Sequence, residues 1–203
     1  SKDLYIDASL YTMQINDLLV AKRITADQFI GQNAGKTSHT GFEVYSKYIL
    51  RSGGFTLSPF DNYTYAYYLF TDFVDDDNDY SGNDLTVVPR HQADLGIEFT
   101  HSTGIYSSLN YTYVGKMPMR DDNTKYSDPY GITNLKAGWA KELNRFTIDV
   151  YGGIQNIFDV KYASMILVNA PSFGGRPPRY YYPGLPINYY GGLSVRYGFS
   201  CYA

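Results

Sequence analysis

With 17 Lys and Arg against 20 Asp and Glu scattered over 203 residues, the chain has a net charge of −3 and no basic cluster, which excludes a nucleic-acid-binding surface. A single cysteine, Cys201, excludes an intrachain disulfide, and neither a Cys-x-x-Cys pair nor a Cys/His ligand spacing is present for a metal or redox centre. No window approaches the roughly 18 consecutive apolar residues of a membrane-spanning helix, yet 23 Tyr and 11 Phe supply far more amphipathic aromatic surface than a soluble core of this size requires.

In chain order, about ten segments of roughly ten residues alternate between apolar and polar positions, and none has helical periodicity. The first candidates run over 4–17 and 24–33. In the third, Phe42, Val44, Tyr48 and Leu50 alternate with Glu43, Tyr45, Lys47 and Ile49, and a fourth covers 55–71. Ala93, Leu95, Ile97 and Phe99 then alternate with Asp94, Gly96, Glu98 and Thr100. Ile105, Leu109, Tyr111 and Tyr113 do so with Tyr106, Ser108, Asn110 and Thr112. After a candidate at 128–142, Phe146, Ile148, Val150 and Ile154 alternate with Thr147, Asp149, Tyr151 and Gln155. A ninth candidate covers 161–169. The last is the clearest, with Tyr189, Leu193, Val195, Tyr197 and Phe199 on one parity and Asn188, Tyr190, Ser194 and Arg196 on the other.

Aromatic residues bracket the apolar parity of that final segment, as expected of a strand crossing a bilayer between two interfacial girdles. Asp94, Glu98, Lys136, Asp149 and Arg196 all occupy the polar parity, where they avoid the roughly 2–4 kcal/mol that a lipid-facing Arg or Lys costs at mid-depth. The fold class is therefore all-β, an antiparallel transmembrane barrel wall. Residues 51–54, 101–104 and 143–145 have the turn chemistry of short hairpins, and 75–88, 116–129 and 169–186 are longer linkers. If the chain ends in the periplasm, ten crossings place the three hairpins and 169–186 outside the cell, with 72–88, 116–129 and 156–160 on the periplasmic rim. The start Ser1-Lys2-Asp3 has no export-signal pattern, so any signal is expected to have been removed or to lie upstream.

Gly153-Ile154-Gln155-Asn156-Ile157-Phe158-Asp159-Val160-Lys161-Tyr162-Ala163-Ser164 resembles the asparagine, hydrophobe, Phe-Asp, Lys-Tyr-Ala-Ser signature found near the C-terminus of TonB-dependent outer-membrane receptors. Three further stretches are similar to that family in order and spacing: Asn33 to Glu43 with its Gly-Lys and Gly-hydrophobe-Glu pattern, Val88 to Gly96 with Val-Pro-basic-His, and Arg179 to Gly184 before the Tyr-rich last strand. The resemblance implies a 22-stranded barrel in the bacterial outer membrane, closed over an N-terminal plug. Residues 1–203 would be its C-terminal part, roughly strands thirteen to twenty-two, without the plug and the TonB box. The implied partners are outer-membrane lipid, the remaining N-terminal strands and plug, TonB acting through that plug, and a scarce nutrient such as a ferric siderophore. No cofactor and no bond chemistry are implied. The family usually ends on the aromatic residue of its last strand, here Phe199, whereas Ser200 to Ala203 follow.

Among residues that could carry chemistry, Arg176, Arg179 and Tyr180 are the candidates for gripping an anionic ligand. Arg176 leads, because the resemblance makes Tyr180 to Pro183 a structural strand start. Asp75-Asp76-Asp77-Asn78-Asp79 has the charge of a calcium loop, but Tyr80 stands where glycine is required and no acid follows at the bidentate position, so a solvated turn is expected. His39 and His91 read as structural hydrogen-bonding residues at periplasmic strand starts. The alternative function is a self-contained ten-stranded outer-membrane barrel with protease or adhesin activity. It is disfavoured because His101 and the acids Asp121 and Asp122 fall on opposite rims. A soluble sandwich would instead bury aromatic residues at the centres of its faces.

Overall fold

The computed structural model describes residues 3–17, 19–23, 29–33, 35–75, 78–172 and 174–199, and within them the chain forms only β-strands and connections. The strands are β1 (Leu4–Asn16), β2 (Leu19–Arg23), β3 (Phe29–Asn33), β4 (Lys36–Tyr48), β5 (Leu50–Ser52), β6 (Phe55–Asp72), β7 (Val74–Asp75) and β8 (Asn78–Asp79). They continue with β9 (His91–His101), β10 (Ile105–Val114), β11 (Tyr130–Leu143), β12 (Phe146–Gln155), β13 (Ala163–Ile166), β14 (Tyr181–Pro183) and β15 (Asn188–Tyr197).

One sheet with the order β1-β4-β6-β9-β10-β11-β12-β15 forms the wall, and β5 prolongs β4 along β6 past a break at Ile49. Every neighbouring pair is antiparallel, so the wall is an up-and-down meander of eight long strands. This bears out the all-β antiparallel reading, with two crossings fewer than expected. The candidate at 24–33 contributes only β3, paired with its neighbour β2, and that at 161–169 contributes only β13, paired with β14. Strands of five and four residues, rising about 3.3 Å per residue, cannot traverse an apolar band about 25 Å tall.

Losing the crossing at 161–169 inverts the side of every connection before it. The turns at 53–54, 102–104 and 144–145 share a rim with the end of β15. The connections 73–90, 115–129 and 156–187 lie together on the opposite rim, and the hairpin β2–β3 belongs to the connection on that same side. The expected placement of the hairpins beside 169–186 is thus corrected, and 169–186 instead shares the rim of 73–90 and 115–129, on which His39 and His91 stand.

Register separates the two faces. On one, Pro59, Ile97, Leu109, Leu135, Ile154 and Tyr189 are successive cross-strand partners, and on the other Ser58, Glu98, Ser108, Lys136, Gly153 and Tyr190 are. The apolar face is uncovered by protein, with Leu10 87% and Leu193 67% exposed, an area of apolar surface that a lipid layer has to cover. Lys36, at the very start of β4 on the parity of Phe42, pairs with Asp72 at 3.4 Å on the rim, and within the wall two charges break the pattern. Asp61 shares the parity of Leu57 and Tyr63 and accepts a hydrogen bond from the Ser46 hydroxyl opposite it. Lys141 is opposite Ile148, close enough to the 144–145 turn for its stem to carry the ammonium to the interface.

The polar face accounts for part of the tyrosine excess. Tyr11, Phe60, Tyr106, Tyr151 and Tyr190 stand directly opposite Gly41, Gly96, Gly138, Gly192 and Gly153, and each ring occupies the place where a glycine Cβ would project. Such aromatic–glycine pairs resist a one-residue slip, which would drive each ring into a side chain. Lys136 links two of the rings, its Nζ lying 4.7 Å from the Tyr151 ring centre and 5.7 Å from that of Tyr106, whose hydroxyl donates to Asp149 at 2.8 Å.

In membranes containing the protein, cysteines replacing Leu109, Ile148, Leu193 or Val195 are expected to react with a lipid-soluble maleimide, while those replacing Asn110, Asp149 or Arg196 are expected to resist it. Equal labelling of the two sets would contradict the assignment of faces.

Candidate ligand-contacting rim

Among the described residues the buried hydrophobic clusters form where the long connections meet the ends of the wall strands. Val114, Met117, Met119, Ile166, Ala170 and Tyr180 pack together, with Val87, Tyr130, Ala163 and Leu167 against them. Phe70 and Phe73 form a second nucleus covered by Tyr80 and Leu85. Within 161–169, whose apolar residues imitate a strand pattern, Ala163, Ile166 and Leu167 therefore pack into this cap.

Short polar side chains tie the connections to one another. Asn123 accepts the Asp84 amide at 2.7 Å and donates to the Asp84 carbonyl at 3.0 Å. Asn169 accepts the Asp121 amide at 3.1 Å and donates to the Asp121 carboxylate at 2.6 Å, and Asn83 donates to the Asp121 carbonyl at 2.7 Å. Burial pushes the Asp121 carboxyl up. Its neighbour Asp122 receives three hydrogen-bonding contacts from the Arg120 guanidinium, two from Nε at 3.1 and 3.0 Å and one from Nη2 at 2.7 Å, and further donation from Thr124. These hold its carboxyl down to about 2, so this support for the folded cap is complete above the ordinary carboxylate range and is lost as pH falls toward 2.

Asn156 and Asp159 of the signature are staples. Asn156 is 2% exposed; its side chain accepts the Val160 amide at 2.8 Å and donates to the Val160 and Leu185 carbonyls at 2.9 and 3.1 Å. Asp159 accepts the Ile187 amide at 2.9 Å, closing the 32-residue excursion immediately before β15. Under this closure the polar face holds a cavity of about 260 Å³ lined by Thr112, Asn134, Gln155, Asn156 and Asn188 among others.

The three candidate contact residues separate. Tyr180 is buried in the cap, with Lys125 Nζ 5.7 Å from its ring centre, so it supports the rim from within. Arg176 and Arg179 are exposed, and Arg176 follows a turn in which Gly174 and Gly175 take φ of 55° and 75°, a backbone suited to glycine. Among the described residues neither arginine has an ion-pair partner. Arg120 and Lys125 are cations of the same rim that sequence reasoning passed over; the dense Arg-Asp-Asp-Asn run was the available signal.

The histidines serve local structure. His39 Nε2 is 3.0 Å from the Thr37 hydroxyl, and its ring stacks on Tyr68 with a centroid separation of 4.3 Å. His101 Nδ1 lies 2.8 Å from the Thr103 hydroxyl beside a short turn, across the wall from Asp121 and Asp122, so His101 does not converge with these acids. Asp75, Asn78 and Asp79 form a two-residue-per-strand hairpin, with residues 76–77 outside the described ones; Cys201 and the tail 200–203 also lie outside them.

Substituting Asn156→Ala leaves the Val160 amide unpaired inside the cap, at a cost of about 1–3 kcal/mol. Proteolytic nicking within 157–187 is expected to accelerate while the wall stays intact. Unchanged cleavage kinetics would mean that this asparagine does not hold the cap.

A sequence model for the family described as TonB dependent receptor-like, beta-barrel, matches residues 1–157. Among solved structures, the chain is similar to the ferric-catecholate import receptor Fiu from E. coli K12, at 18% identity and a TM-score of 0.66 over 97% of this chain and 26% of that one. It is also similar to the ferric yersiniabactin uptake receptor FyuA from Yersinia pestis, at 21% identity and a TM-score of 0.62 over 98% of this chain and 28% of that one. The copper transporter OprC aligns at 17% identity and a TM-score of 0.70, over 98% of this chain and 29% of that one. At these identities the structures speak to the fold, and this chain spans little more than a quarter of each. The match over residues 1–157, joined to the antiparallel two-faced wall, establishes that the chain belongs to the TonB-dependent receptor β-barrel family, whose members are outer-membrane transporters and not enzymes.

Proposed function

We propose that residues 1–203 are the C-terminal wall and mouth of a larger plugged receptor in the bacterial outer membrane, which imports a scarce nutrient of the anionic ferric-chelate class. The carrying observation is the pair of exposed guanidiniums, Arg176 and Arg179, on a connection stapled by Asn156 and Asp159 and backed by a buried core. Outer-membrane barrels carry long loops outside the cell and short turns in the periplasm, so this reading puts the rim of 73–90, 115–129 and 156–187 at the extracellular mouth. A rim already ordered by packing reduces the entropy lost when two cations close on an anion. The two iron-chelate receptors among the structural neighbours agree with this class, and the likeness of the same wall to a copper transporter is consistent with cargo choice residing in the rim.

On this reading the chain does no bond chemistry. Energy reaches the transport cycle through TonB and the plug, which belong with the remaining strands to the rest of the receptor. The wall supplies closure, a polar lumen and the rim contacts. Replacing Arg176 with Ala in the full-length receptor is expected to weaken binding of an anionic ferric tris-catecholate by the loss of one charge-assisted hydrogen bond, about 1.5–3 kcal/mol, with unchanged receptor abundance in the membrane. Unaltered affinity at normal abundance would remove this connection from the binding site.

A further inference from the structure

We propose that the outward flank of the long-connection rim holds the phosphate of an anionic membrane lipid, between Lys116, His91 and Arg90. A cavity of about 560 Å³ opens there, and these three residues line it with Tyr113, Tyr126 and the single acid Asp84. Register places the site on the apolar side of the wall: His91 is opposite Tyr65, and Tyr113 is opposite Ala93, on the parity of Leu95 and Leu109. His91 lies four residues along β9 from Leu95, a rise of about 13 Å before strand tilt, which lifts the cations from the apolar band to headgroup level.

The groups around the cavity are those that an interfacial anion needs. Tyr63, Tyr65, Tyr67, Tyr111 and Tyr113 form an aromatic belt on that parity. Arg90 lies 4.7 Å from the Tyr67 ring centre and reaches Asp84 at 2.5 Å, so its charge is partly answered within the protein. His91 Nδ1 is 2.7 Å from the Tyr63 hydroxyl. Lys116 is exposed, stands 4.9 Å from the Tyr126 ring centre, and has no carboxylate partner among the described residues. One acid against two permanent cations and a histidine leaves positive charge at a lipid–water boundary, where it attracts an anionic headgroup. The acyl chains of such a lipid would descend over the exposed Leu95 and Leu109. A freely diffusing anion gains nothing from that apolar slope, which is the reason for assigning the site to a lipid. The inference needs the apolar face to meet lipid, and it is independent of which nutrient the receptor imports.

The test uses the full-length receptor in a neutral detergent, titrated with short-chain phosphatidic acid, phosphatidylcholine of the same chains, and inorganic phosphate, with bound lipid read by native mass spectrometry. Phosphatidic acid is expected to bind best and to resist displacement by inorganic phosphate. Lys116→Glu should weaken it by about tenfold or more, and Lys116→Arg should largely restore it. Because Lys116 is exposed, neither variant disturbs the cap, and intact heat modifiability of the barrel checks this. Three results would each overturn the proposal: equal affinity in Lys116→Glu, equal affinity for phosphatidylcholine, or displacement of the lipid by equimolar phosphate.

Discussion

In a hydrocarbon layer no water is available to pair with the backbone, so every amide and carbonyl of a wall strand must find a partner on a neighbouring strand. Seven antiparallel interfaces meet this constraint from β1 to β15. Much else follows from it. Antiparallel pairing fixes which side chains share a face, that sorting puts leucine and isoleucine toward lipid and Lys136, Glu98 and Asp149 toward the lumen, and tight turns can join strands at one rim while the other is free to carry long excursions. The same constraint leaves the outer edges of β1 and β15 without partners among the described residues, a row of unpaired groups that lipid does not tolerate.

The long-connection rim resolves a second conflict. An exposed loop positions nothing, yet a mouth that contacts a ligand needs side chains in defined places. Here the excursions build their own small core around Met117, Met119, Ile166 and Tyr180, and asparagines close the exposed backbone groups. The charged residues then divide by partner. Arg120 is committed to Asp122 and Arg90 to Asp84, whereas Arg176, Arg179 and Lys116 face outward. Those outward-facing cations lead the proposed contacts, two at the mouth and one, beside Arg90 and His91, on the membrane flank.

Much of the wall was legible because alternation is a direct image of the pleat. The parities read from 93–100, 105–113, 146–155 and 187–199 agree with the register at each of those strands. The failures came where an apolar pattern had another cause. At 161–169, Ala163 and Ile166 are apolar because they pack against Tyr180 and Met119, and counting that segment as a crossing reversed the sides of the connections before it. A four-residue strand and a ten-residue one look alike in a short window; only the pairing partner tells them apart. Tyrosine was ambiguous for a similar reason, since Tyr106 and Tyr190 cover opposing glycines from the polar face while Tyr63 and Tyr113 belong to the interfacial belt. The buried state of Tyr180, and the commitment of Arg120 to Asp122, depend on loop packing that no periodicity encodes.

On the proposed reading, this sheet is an open arc, closed only by further strands of a larger barrel. Refolding residues 1–203 alone in detergent, beside the full-length receptor, tests it most directly by heat-modifiable migration and protease resistance. The full-length receptor is expected to yield a heat-modifiable, resistant monomer and the isolated segment is not, because its two edge strands stay unpaired. A compact, protease-resistant, heat-modifiable monomer from residues 1–203 would show that β1 and β15 can pair with each other, and would contradict the larger barrel.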